Sequence, residues 1–229
     1  YEQWPPKTHN DIFFDSEFRK DETKYGRVVL TRFLRRIWRR PAEEQELDSF
    51  VGLFEEYRRE LPSFEDAMVE VLATALATPE FLYLTQRTPN RDSESHGAIH
   101  DLELASRLAL FLWSSLPDEE LLQLAEQEKL HDPKTLSAQV DRMLADRRAG
   151  RFSMHFVQQW LGLDGLDSVA HVKDSDLKAA MQQEPIAFFD EVLQQNRSIM
   201  DFIHSDYVMV NERLAKHVGL RNVSGPHFR

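Results

Sequence analysis

EEQELDSFVGLFEEY, residues 43–57, places Leu47, Phe50, Val51, Phe54 and Tyr57 at steps of three and four, with acids and polar residues between them. That spacing makes one apolar face on a helix of 3.6 residues per turn. A strand, with its period of two, would send the same side chains to both faces of a sheet. The ends of the segment carry helix punctuation. Pro41-Ala42-Glu43-Glu44 reads as a proline in the first turn followed by acids at the positive end of the helix dipole, and Leu61-Pro62 closes the segment.

The same grammar holds on either side. Upstream, a helix is expected from about Thr23 to Arg39, with Val28, Leu30, Leu34, Ile37 and Trp38 as its stripe. The stretch from Trp4-Pro5-Pro6 to Phe14 reads as an extended arm on the body, with Trp4 placed to contact a neighbouring domain. Downstream, Ser63 is the N-cap and Asp66 the N3 acid of a helix carrying Met68, Val71, Leu72, Ala75 and Leu76. Thr78-Pro79-Glu80 restarts the chain as a short helix from Phe81 to Thr85, and the polar segment Thr88–His100 reads as a linker.

Beyond the linker, Asp101 reads as the N-cap of a helix through Leu104, Leu108, Phe111, Leu112 and Trp113. Pro117-Asp118-Glu119-Glu120 and Asp132-Pro133 open two more. Gly150 loosens the chain ahead of Phe152, Phe156, Val157, Trp160 and Leu161, and Gly162 to Val172 reads as a loop. A long helix from about Ser175 to Gln195 contains Pro185, where a kink or break is expected. Ser198 begins a short helix to His204. Tyr207-Val208-Met209-Val210 is the only strand-like run, and Asn211 caps a last helix that Gly219 stops. These features predict an all-α fold with negligible β: about ten helices in two packed helical subdomains, residues 1–87 and 101–229, joined by 88–100.

Composition narrows the classes of function. Of 229 residues 41% are hydrophobic, enough for a real core, and only eight are glycine, which argues against folds built on tight turns between short strands. Net charge is −11, but residues 27–40 hold six arginines and no acid, which leaves 22 basic residues against 39 acids elsewhere. A surface so acidic over most of its area repels nucleic acid and anionic membrane. The chain has no cysteine, so disulfides, covalent haem and Cys-ligated zinc or iron–sulfur centres are excluded. No run approaches the ~18 apolar residues of a membrane span. The chain starts at Tyr1 without a methionine or signal peptide and stops at Gly225-Pro226-His227-Phe228-Arg229, so both ends read as cut from something longer.

Arg32, Arg35, Arg36, Arg39 and Arg40 could form an anion-binding face for a sulfated or carboxylated polysaccharide, since guanidinium forks match those groups. The alternative is neutralisation within the chain by acids such as Glu43, Glu44, Glu46, Glu55 and Glu56. Arg107, on an otherwise apolar helix face, is either an anion site or a buried arginine paired with a carboxylate such as Glu103. With Glu184 and Asp206 it forms a candidate buried ion pair or cleft. Asp118, Glu119 and Glu120 read as capping acids before catalytic ones, and Trp113, Trp160 and the phenylalanines as packing before sugar platforms. Ser205, His204 and Asp206 are adjacent, which is no sign of a triad. Met200 and His204, one turn apart, cannot be trans ligands of a haem. His96 and His100 have i,i+4 spacing but lie in the polar linker. No catalytic residue, metal site or cofactor is assigned, and the chain has no GxGxxG, Walker or GxSxG motif.

Five blocks, in order, carry a resemblance: residues 35–41 (RRIWRRP), 77–83 (ATPEFLY), 104–121 (LASRLALFLWSSLPDEEL), 156–163 (FVQQWLGL) and 207–215 (YVMVNERLA). They resemble the large exported proteins of planctomycetes built from consecutive domains of unknown function numbered 1595, 1592 and 1588. The resemblance implies a helical domain of the first type to about Tyr83, one of the second type after it, and a periplasmic or cell-surface location. Such proteins often carry a c-type cytochrome module, which this chain lacks, and the family offers no catalytic residues to carry over.

On this reading the chain is expected to be a non-catalytic structural or interaction module of a larger exported protein, with neighbouring domains as its first partners. Two alternatives stand beside it. The chain could be part of an enzyme or electron-transfer protein whose centre other domains complete, or a scaffold for homo-oligomerisation through exposed aromatic surface.

Overall fold

A computed structural model describes residues 6–84 and 99–229. Trp4, His96 and nearly all of the expected linker lie outside the described residues, as does Thr85. The chain is all-α, and no strand occurs among the described residues. Its helices in order are α1 (Lys7–Ile12), α2 (Glu22–Trp38), α3 (Glu44–Glu60), α4 (Phe64–Leu76), α5 (Pro79–Leu82), α6 (Asp101–Trp113), α7 (Glu119–Glu126), α8 (Pro133–Ala145), α9 (Gly150–Leu161), α10 (Ser175–Gln194) and α11 (Glu212–Val218), with four short 3-10 turns. Backbone proximity groups them into two compact units. One is Tyr1–Ala109 with Leu116–Thr135, the other Leu110–Ser115 with Leu136–Arg229, so α6 contributes its first nine residues to one and its last four to the other.

In the first unit α2, α3 and α4 pack pairwise. Leu30 and Leu34 of α2, Phe54 of α3 and Met68 and Val71 of α4 are almost fully buried, each contributing about 1.5–3 kcal/mol of burial free energy. Gly26 of α2 faces this contact. A Cβ built there would lie 3.2 Å from the Phe54 ring and 3.4 Å from the Met68 methyl. The Phe54 ring is held edge-on against Phe64 at 5.1 Å and has nowhere to move. Gly26→Ala, which in an open helix would gain roughly 0.5–1 kcal/mol, is therefore expected to cost about 1–2 kcal/mol here through overpacking. Urea unfolding followed by circular dichroism checks the sign.

Several helix starts differ in detail from the sequence reading. Residues 7–12 are helical, not an extended arm, and the chain then buries Phe13 against Phe64. Pro41 lies before α3, not in its first turn, because Glu43 and Glu46 close a reciprocal capping box that begins the helix at Glu44. Asp101 does not cap α6. His100 takes that position through its ring nitrogen and carbonyl, while the buried Asp101 carboxylate accepts from the Leu130 N–H (2.6 Å) and from His131, fastening the turn after α7. The expected caps Ser63, Asp118, Asp132 and Asn211 are in place.

In the second unit α10 packs against α9 and α11. It runs unbroken through Pro185, whose missing N–H leaves the Met181 carbonyl without its helical donor. The strand-like run at 207–210 pairs only at Val210, which exchanges two backbone hydrogen bonds with Arg229. Trp113, at the end of α6, is fully buried, and its indole N–H donates to the Met143 carbonyl at 2.9 Å.

Candidate functional site

The arginines of α2 and the turn after it divide by their partners. Arg27 contacts Glu44 and Asp48 at 2.6 Å each. Arg35 reaches Glu126 (2.6 Å) and Glu119 (2.7 Å), and these hydrogen bonds raise its own pKa and lower that of Glu119. Arg40 forms a two-bond fork with Glu46 and lies 5.1 Å from the Trp38 ring. Arg39 is only 7% exposed and forms no ion pair among the described residues. Its guanidinium donates to the carbonyls of Ile37, Glu80 and Tyr83, and burial lowers its pKa. Arg32 and Arg36 remain exposed with no ion pair among the described residues, Arg32 lying 4.7 Å over Phe14. Both line a small groove whose floor includes Phe33 and Ile37.

Arg107 is exposed on α6 and pairs at 2.5 Å with Glu103, the buried member of the couple at 10% side-chain exposure. Glu184 and Asp206 belong to the other compact unit. Glu184 is half-buried on α10, and desolvation raises its pKa. Asp206 is exposed in the turn before Tyr207. Ser205 uses its hydroxyl within that turn, donating to the Tyr207 carbonyl and accepting from its N–H, so it is not presented to a histidine as a nucleophile. A polar cavity of about 450 Å3 in the second unit is bordered by Ser153, Gln183, Asp190 and Gln194. Its buried Ser153 hydroxyl donates to the Asp190 carboxylate at 2.7 Å, and no histidine or lysine is among the described residues that line the cavity. Among the described residues no group of three or more acids and histidines could hold a metal.

The least satisfied surface is aromatic and lies in the second unit. Phe152, Phe156 and Trp160 stand one turn apart along one side of α9. Their rings form a continuous series with Phe111 at one end (4.8 Å to Phe152) and Phe202 at the other (5.9 Å to Trp160). Phe189 of α10 backs the middle, 5.2 Å from Phe156 and 5.8 Å from Phe202. The buried side of α9 is instead Ser153 and Val157. As a result Phe111 is 61% and Trp160 56% exposed, and the turn bearing Phe202 adds Ile199 at 77% and Ile203 at 81%. Met200 and Leu161 of the same unit are also exposed. Contiguous apolar patches of this kind are uncommon on surfaces that meet only water.

Sequence reasoning placed Phe156 and Trp160 in packing together with Trp113, and only Trp113 is core. On a helix residues 152, 153, 156, 157 and 160 fall within one arc of about 140°, so the spacing reads as a single apolar face and does not say which part of it is covered.

Comparison with known proteins places two family models on the chain. Residues 99–220 match PSD4, described as a protein of unknown function (DUF1592), and residues 25–86 match PSD5, a protein of unknown function (DUF1595). The two matches fall on the two stretches that the resemblance implied. No curated protein and no solved structure matches the chain.

Proposed function

We propose, for a chain that belongs to the PSD4 family, a role as a non-catalytic interaction module whose working surface is the aromatic face of α9, Phe111 and the turn at 199–203. The observation that carries this reading is the contrast between two surfaces. Three of the six arginines of residues 27–40 pair with acids of their own unit and a fourth, Arg39, is buried against carbonyls, whereas the uncharged rings of the second unit stand open. Desolvating aromatic side chains is the largest contact energy that such a surface can offer. Arg32 and Arg36 are a secondary candidate for an anionic polymer, with two guanidinium groups in place of five. Setting the module in a larger exported protein with neighbouring domains extends the reading by family resemblance.

A dye that reports open apolar surface tests it. At low micromolar concentration the chain should enhance the fluorescence of anilinonaphthalene sulfonate, and Phe156→Ser with Trp160→Ser should remove most of that enhancement while circular dichroism keeps the helical signal. Enhancement unchanged in the double variant would place the open surface elsewhere and end the proposal, as would turnover of a polysaccharide or redox substrate by the purified chain.

A further inference from the structure

We infer that the aromatic face of the second unit receives a second copy of this chain, in a two-fold contact that sets α9 against α9. The inference rests on the interaction-module reading and names its partner.

Area is the first argument. The exposed fractions of Phe111, Phe156, Trp160 and Phe202, with Ile199 and Ile203 of the Phe202 turn, run from 36 to 81%. At ~200 Å2 per side chain they leave on the order of 700 Å2 of apolar surface open. A stable interface of ordinary size buries about 800 Å2 on each partner, so one copy of this face supplies one complete side of a dimer.

Charge is the second argument. Two chains that each carry a net charge of −11 repel one another wherever acids meet. Across Gly150–Leu161 there is no acid, and the single charged residue, Arg151, donates to the Trp113 carbonyl at 3.2 Å. Asp201, the one acid within the 199–202 turn, is half-buried and accepts from the Tyr207 hydroxyl. The face is thus the part of an acidic molecule where a second acidic molecule can approach without like-charge opposition.

Self-complementarity is the third. A run of tilted and edge-on rings needs no matching charge or hydrogen bond on its partner, only other rings to meet their edges and faces. A two-fold axis supplies them by bringing the same patch to itself. Offset and edge-on ring pairs, the geometry already seen between Trp160 and Phe202, would continue across the axis.

The absence of cysteine makes a direct test available. Sedimentation equilibrium from low micromolar to several hundred micromolar should show the mass rising from one chain to two. Trp160→Ser should weaken association at least tenfold. Ile203→Ser, at a position too exposed to matter for folding, should weaken it severalfold, while Arg36→Ser leaves it unchanged. A single cysteine introduced by Phe111→Cys should cross-link chain to chain through a short bis-maleimide, and lose that cross-link when Trp160→Ser is added. A mass of one chain at every concentration, or association indifferent to Trp160→Ser and Ile203→Ser, overturns the second copy as occupant. Dye binding at low concentration reports separately on whether the face is open, so a monomeric, dye-positive chain would sink this inference and leave the interaction-module reading standing.

Discussion

Replacing Trp113 with alanine is expected to destabilise the unit that contains it by about 4 kcal/mol, the upper part of the range for removing a buried indole. Trp113 is fully buried, and it does more than fill volume. Its N–H donates to the Met143 carbonyl at the end of α8, and its own carbonyl accepts from Arg151. The Arg148 guanidinium lies 3.4 Å from the ring centroid, gripped from behind by Asp146 at 2.8 and 2.9 Å, and Arg142 lies 5.5 Å from the same ring. Alanine removes the packing, takes one of two hydrogen bonds from the Met143 carbonyl (the Asp146 N–H remains at 3.3 Å) and takes away the ring face on which Arg148 rests.

Trp113→Phe keeps a ring and loses the N–H, so it should cost about half as much. Urea unfolding monitored by circular dichroism separates the two variants. The Arg148 clamp also has a pH sense. Hydrogen bonds from Arg148 hold Asp146 well below the ordinary carboxylate range, so the stability from this pair is present above the unfolded carboxylate pKa and is lost as acid protonates the folded carboxylate. The difference between wild type and Trp113→Phe should therefore be measured near neutral pH, where the clamp is intact. A Trp113→Phe variant as stable as wild type would show that the N–H bond to Met143 contributes nothing, and one no more stable than Trp113→Ala would show the same of the ring's packing.

What could be read from the residues follows from the range of the physics involved. The helix of residues 44–60 was legible because its stripe, acids and terminating proline act within a few residues of one another. The caps at Ser63, Asp118 and Asn211 were legible for the same reason. Asp101 shows where local grammar stops. It looks like a cap and sits where a cap belongs, yet its carboxylate is claimed by the Leu130 N–H, 29 positions away. Arg35 is similar, since its acids lie 84 and 91 positions downstream and not on the next helix. The aromatic face was half legible. The rings at 152, 156 and 160 declared an apolar stripe, but a stripe states only that a side is greasy, and whether another element covers it is decided by the fold. α9 turns Ser153 and Val157 inward, and nothing in the spacing distinguishes that choice from its opposite.

Arg39 separates a binding role from a structural one, and it carries the second large expected effect. It ends α2 with φ at 60°, the left-handed conformation usually given to glycine. Its guanidinium returns inward to the carbonyls of Ile37, Glu80 and Tyr83 at 2.8–3.1 Å, a single planar fork with five donors serving three oxygens. Arg39→Ala removes those charge-assisted bonds and keeps a Cβ in the left-handed region, so a loss of about 3 kcal/mol is expected. Arg39→Gly loses the same bonds but relieves the backbone, and should be less costly by about 1 kcal/mol. Arg39→Lys keeps the charge without the fork and should fall near alanine, because one ammonium cannot span three separated carbonyls. Thermal and urea unfolding of the three variants decide the matter. An anion-binding arginine would give the opposite result, with stability unchanged in all three and binding of a sulfated polymer weakened. A stability order of wild type, then glycine, then alanine is the result expected of a guanidinium that ties the left-handed end of α2 to the carbonyls of Glu80 and Tyr83.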